Sequence, residues 1–190
     1  MTDRPEKTIR PEAEPEDVAA EHGDPGEAEI SVDEQAELAH REQLTAKMRG
    51  GANWFFWIAG LSIANTVILL MEGDRHFVVG LGITQLVNGV ALAFAQQAPE
   101  TAMIGKVVAF VITLLASAVV AAFGFGARRG MAWLFTLGMA LYFLDGLLFL
   151  LFQDWMSVGF HLFALYCMFG GLRAARELNG LDRIVLAEAD

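Results

Sequence analysis

The sequence predicts an all-α, polytopic membrane protein, and three observations carry that prediction. Between Gly51 and Arg173 lie five apolar stretches, each near the roughly 20 residues that cross a bilayer as a helix. Charged residues in this region collect at the breaks: Glu72, Asp74 and Arg75, then Glu100 and Lys106, then Arg128 and Arg129, then Asp154, with Asp145 as the exception. Finally, 55% hydrophobic residues and a mean hydropathy of +0.43 are more than a 190-residue globular domain could keep from water, so lipid must cover part of the chain.

The formal net charge of -10 is distributed unevenly. Residues 1–50 hold 14 of the 23 acids and 6 of the 13 basic residues, which leaves the apolar body nearly neutral. Residues 1–30, with Pro5, Pro11, Pro15 and Pro25 spread among acids, have too little apolar surface to offset ordering entropy and are expected to form a disordered acidic tail. They also lack the early apolar core of a secretory signal. Ser31-Val32-Asp33-Glu34 fits a capping box and opens a glycine-free run to Arg49. A short amphipathic or juxtamembrane helix is expected over 31–50, broken by Gly50-Gly51.

The transmembrane domain is expected over 51–175, as a five-helix bundle with spans at about 51–71, 76–97, 103–127, 131–152 and 155–173, followed by a polar C-terminal tail at 176–190. A closed strand barrel cannot be completed in so few residues, so the spans must be helices. Trp54, Trp57, Trp133 and Trp155 sit near the ends of the runs, where an indole bridges hydrocarbon and headgroup. Short turns predict that helices one and two, and helices four and five, are antiparallel neighbours. Five alternating spans would set six basic residues (Arg75, Arg128, Arg129, Arg173, Arg176, Arg183) against four (Arg41, Lys47, Arg49, Lys106), which favours a cytoplasmic C-terminus in the cell (inner) membrane. Laying Asn65 over Asp145 also lays Asp74 over Asp154 and, after one deletion, Val79-Gly80 over Val158-Gly159, the pattern of an inverted repeat of hairpins. In the third span Ala118, Ala122 and Gly126 recur every four residues, a small-residue stripe suited to close helix packing; Gly60 with Ala64 makes a lesser version in the first.

Chemistry concentrates around one intramembrane acid. Asp145 and His161 lie at matched depth on either side of the fourth-to-fifth turn, roughly 10 to 13 Å in at 1.5 Å per residue. Tyr142 shares the face of Asp145, and Ser157 that of His161, so the four are expected to form one polar cluster. A second polar cluster is expected across the first turn, from Asn65 with Thr84, Gln85 and Asn88. A metal site is not expected, because only Asp145, His161 and Cys167 lie deep, while His22 and His40 precede the spans and His76 is at a membrane edge. No cofactor is expected, since the depths of His76 and His161 do not suit a bis-histidine haem. No nucleophile motif or phosphate loop appears, so an enzyme is not the expected class.

Two functions remain. The first is a structural or accessory membrane subunit, whose partners are the lipid bilayer and a second copy or another membrane protein, with no nucleic acid. The alternative is a small transporter or proton/ion-coupled channel built on the Asp145–His161 pair. A lipid-modifying or quinone-interacting enzyme using His161 and Tyr142 is a third reading, with the least in its favour.

Overall fold

The structure, a computed structural model, describes residues 31–72, 80–98, 100 and 102–189. The expected acidic tail over 1–30 lies outside these residues, as do Asp74, His76 and Val79. Every regular element among the described residues is helical: α1 (Val32–Glu72), α2 (Gly82–Gln97), α3 (Ala102–Arg128), α4 (Ala132–Leu151) and α5 (Trp155–Ala189). Three helices are long and apolar enough to cross a membrane, Ala102–Arg128, Ala132–Leu151 and Trp155–Ala187. Their outward faces carry large apolar side chains such as Leu115, Leu144 and Phe163, all more than half exposed in the isolated chain, as suits helices meant for contact with lipid.

Ser31 caps α1 as expected, its hydroxyl accepting from Glu34 N at 3.2 Å. The break expected at Gly50-Gly51 does not occur, and α1 runs unbroken through both residues. Gly51 serves close approach instead. A Cβ on it would lie 2.7 Å from Gly171 Cα, and one on Gly171 would lie 2.8 Å from Gly51 Cα, so α1 and α5 cross backbone to backbone here. Before the crossing, the first turns of α1 pair with the last turns of α5. Leu44, Met48, Leu172, Ala174 and Ala175 fill the seam, flanked by His40–Glu177 at 3.2 Å and Arg41–Asp182 at 2.8 Å. Residues 176–189, expected as a polar tail, are therefore the helical end of α5, held in register by α1.

The turns explain two further boundaries. α3 closes with a Schellman arrangement: Met131 N donates to Gly126 O and Gly130 N to Ala127 O, both at 3.1 Å, with Gly130 at φ 77. α4 ends in the same way, Asp154 N donating to Phe149 O at 3.0 Å, but the left-handed position is held by Gln153 at φ 57. Asp154 then caps α5, its carboxylate accepting from Ser157 N and from the Ser157 hydroxyl at 3.2 and 2.6 Å.

Contacts along the helices fix their directions. α3 is antiparallel to α1, since Thr66 meets Thr113, Phe55 meets Phe123, and Arg128 reaches Asn53. α5 is antiparallel to α1, from Gly171 beside Gly51 to Asp182 beside Arg41, and α4 runs with α1. The second helix departs from expectation. It starts at Gly82 rather than near residue 76, and it runs in the same sense as α1, because Leu81 bonds Ser62 and Asn88 bonds Thr66. It begins beside Ser62, about 15 Å short of the end of α1 at 1.5 Å per residue, and stops beside the start of α3. Helices one and two are thus not the antiparallel pair the short turn suggested, whereas α4 and α5 are. The first and second pairs are not equivalent hairpins, and four long helices alternate in direction while the 16-residue α2 starts partway along α1, beside Ser62.

The small-residue stripe also needs correction. Of its members Gly126 is buried against Leu134, but Ala118 and Ala122 face outward, and α3 packs through Ala109, Thr113, Ser117, Gly124, Gly126 and Ala127; Gly60 and Ala64 are also exposed. In the half of the bundle nearer the α1–α5 extension the core is aromatic. Phe55 stands edge-on to Phe135 at 5.7 Å and lies over the face of Gly138, whose Cβ would sit 2.7 Å from its ring.

Candidate functional site

A helix that begins inside a bundle exposes amide donors with no preceding turn to accept them, and these must find acceptors where water is absent. Around the start of α2 each such donor is met. Gly82 N donates to Asp145 Oδ2 at 2.7 Å and Ile83 N to Asp145 Oδ1 at 2.9 Å. Leu81 N donates to Ser62 Oγ at 2.9 Å, and Thr84 N and Gln85 N both reach Leu81 O at 3.2 Å. Asp145 therefore acts as the N-terminal cap of a helix sixty residues earlier in the chain, where a negative charge also meets the positive end of the helix dipole. Gly82 is required for this approach: a Cβ there would lie 2.9 Å from Asp145 O and 2.9 Å from the Phe149 ring.

His161 completes the contact. Its Nε2 lies 3.2 Å from Asp145 Oδ2, and its Nδ1 lies 2.8 Å from Ser157 O. A carbonyl only accepts, so Nδ1 carries the hydrogen of that contact and Nε2 is turned to the carboxyl group. The ring is gripped by one face of α4. Tyr142 stacks on it at 4.3 Å and 15°, Phe149 lies at 5.0 Å, and Gly146 between them leaves room, since a Cβ there would touch the imidazole at 3.1 Å. Side-chain exposures of 3% for His161 and 9% for Asp145 bury the contact.

The four residues expected as one cluster do meet, though two of them in unexpected ways. Ser157 contributes its carbonyl rather than its hydroxyl, which is bonded to Asp154. Tyr142 contributes its ring face, and its hydroxyl is buried without a hydrogen-bond partner among the described residues. It borders a cavity of about 230 Å³ between α3 and α4, shared with Leu81, Ile83 and Asp145.

The second expected cluster is met in part. Asn88 Nδ2 donates to Thr66 Oγ1 at 3.0 Å, joining α2 to α1. The Thr66 hydroxyl donates to Ser62 O at 3.1 Å, so Thr113, 3.1 Å away, is the donor in their contact, and Thr66 uses its hydrogen and both lone pairs. Thr84 turns back to Leu81 O at 2.7 Å. Asn65 is buried and borders a cavity with Gln85, whose Nε2 is buried with no hydrogen-bond partner among the described residues. Leaving such a donor unpaired costs about 1–3 kcal/mol. Ser62 and Thr113 were missed from the sequence. Their signal was a hydroxyl on the buried helical face, at Ser62–Thr66 and Thr113–Ser117, each spaced by four.

Among the described residues no group of three or more His, Cys, Asp or Glu side chains is placed to hold a metal ion. Comparison of the chain with protein families, with curated proteins and with solved structures finds no match.

Proposed function

We propose that this is an integral protein of the cell (inner) membrane with four spans and one re-entrant half-length helix, serving a structural or accessory role in which Asp145 and His161 latch α2 into the bundle. The observation that carries this reading is the engagement of the Asp145 carboxylate: two backbone amides and His161 take three of its roughly four acceptor positions, in a buried contact. A carboxylate committed in this way to the start of α2 positions a helix. The spans would be the apolar part of α1 after Gly51, with α3, α4 and α5.

Charge supports the topology. With four alternating spans, the start of α1, the α3–α4 turn and the end of α5 share one side, which collects Arg41, Lys47, Arg49, Arg128, Arg129, Arg173, Arg176 and Arg183. The other side keeps only Arg75 and Lys106. Eight against two replaces the near balance of the five-span arrangement and puts both ends of the helical body in the cytoplasm. Green fluorescent protein fused at either end should fluoresce, and a cysteine introduced at Met103 should react with an impermeant maleimide from outside intact cells. Fluorescence from one terminal fusion alone would restore an odd number of spans. The accessory role predicts a co-purifying membrane protein or a second copy in native mass spectrometry, and strictly monomeric, partner-free particles would count against it.

The re-entrant helix also favours a second reading, a small proton-coupled transporter, because helices broken at half depth line the binding sites of many transporters. Reconstituted protein would then show pH-dependent flux that Asp145→Asn abolishes while the bundle stays folded.

A further inference from the structure

Lipid accounts for the apolar side chains on the outward faces of α3 and α4, but not for those at the far end of the α1–α5 extension. Beyond the crossing of Gly51 with Gly171 the two helices continue as a pair, and Arg41 and Glu34 lie roughly 15 and 25 Å past Gly51 at 1.5 Å per residue. There an open groove of about 570 Å³ runs between them. Its apolar lining is Leu38, Val185 and Leu186, which are 50%, 52% and 68% exposed. Large apolar side chains gathered where water rather than lipid would cover them mark an interaction surface.

Charge narrows what that surface takes. Arg41, the one cation of the groove, is shared by two of its three acids, Glu37 at 3.2 Å and Asp182 at 2.8 Å. The third, Glu34, is exposed, and its carboxylate has no partner among the described residues. Around the groove, residues 32–45 and 177–186 together hold six acids against two arginines. A second copy in the same membrane, related by a two-fold axis along the membrane normal, would set acid against acid at one height. An anionic bilayer surface would be repelled for the same reason. An apolar face flanked by lysine or arginine would be attracted.

We propose that this groove docks a basic amphipathic helix of a partner protein, laid along α1 and α5 as a third helix. From Glu34 to Arg41 the groove is two helical turns long, so the partner supplies apolar residues spaced i, i+3 or i+4, and i+7, with basic residues on either side of them. This rests on the accessory reading and deepens it, by naming the surface and the chemistry of the partner; the four-span arrangement puts that surface in the cytoplasm.

The test uses the full chain in phosphatidylcholine nanodiscs and a fluorescein-labelled helical peptide of leucine and lysine, with its leucines at that spacing, read by fluorescence anisotropy against empty nanodiscs. The peptide should bind saturably and in excess of the empty discs. Its counterpart with glutamate for every lysine, which keeps the leucine face, should bind at least tenfold more weakly. Leu38→Gln combined with Leu186→Gln should lower the affinity for the lysine peptide at least tenfold. Both side chains are exposed and glutamine is a good helix former, so the double variant should keep the parent's helicity and thermal midpoint. Glu34→Gln leaves both Arg41 ion pairs in place and should weaken binding about threefold at low salt. Binding no greater than to empty discs, equal binding of the two peptides, or undiminished binding in a double variant of parental helicity would overturn the proposal. So would a dimer in native mass spectrometry that the double variant loses, which would give the groove to a second copy. A membrane protein that co-purifies equally with the parent and the double variant would also overturn it, while leaving the accessory role standing.

Discussion

Replacing Asp145 separates capping from mere burial of an acid. Asp145→Leu keeps the branched shape with bulkier methyl groups and removes every acceptor, so Gly82 N and Ile83 N lose their partners at 2.7 and 2.9 Å and His161 loses its contact at 3.2 Å. At about 1–3 kcal/mol for each orphaned buried donor, the two amides alone cost about 2–6 kcal/mol. Asp145→Asn retains one oxygen for one amide, and its NH₂ can donate to the lone pair of a neutral His161 whose hydrogen is on Nδ1. One amide is orphaned, at a cost of about 1–3 kcal/mol. The leucine variant should therefore be the less stable by a factor of ten or more in its unfolding equilibrium, measured by titrating mixed micelles with SDS. Hydrogen exchange adds the local readout: the amides of Gly82 and Ile83 should exchange faster in Asp145→Leu while those of α3 stay protected. Equal stability of the two variants, with unchanged exchange at the start of α2, would refute the capping argument.

Other positions give sharper contrasts. Gly51→Val forces a side chain to within 2.7 Å of Gly171 Cα and should lower stability by at least about 1–3 kcal/mol in the same titration, since backbone cannot give way as a side chain can. Gly60→Ala and Gly159→Ala meet nothing within 4 Å and should raise stability by about 0.5–1 kcal/mol each, because alanine loses less entropy in a helix. Gln153→Gly relieves a left-handed residue at the α4–α5 turn and should stabilise by about 1 kcal/mol, read as a higher thermal midpoint.

Much of this architecture was legible in the chain. Long apolar runs, the Ser31 cap and the ends of α3 and α4 follow from hydropathy and turn chemistry, which are local. The depth match of Asp145 and His161 was legible too, because it depends only on helical rise about a short turn. What could not be read was direction. The run from residue 76 to 97 has the length and polarity of a full span, and nothing in its composition tells that helix formation starts at Gly82 beside Ser62, since the decisive acceptor lies on α4. Gly50-Gly51 misled for a related reason: a glycine pair reads as a breaker until its partner, Gly171, is known. Asn88 could be assigned to a bond across to α1 by depth, but Thr113 required knowing which face α3 turns to α1.

The reach from Gly82 to Asp145 also orders events during synthesis. The amide and its acceptor are separated by 63 positions, which at about 5–20 residues per second means several seconds between their emergence from the ribosome. Through that interval the beginning of α2 has no carboxylate, so it must wait near the interface, or in the shelter of the insertion machinery, until the fourth helix arrives.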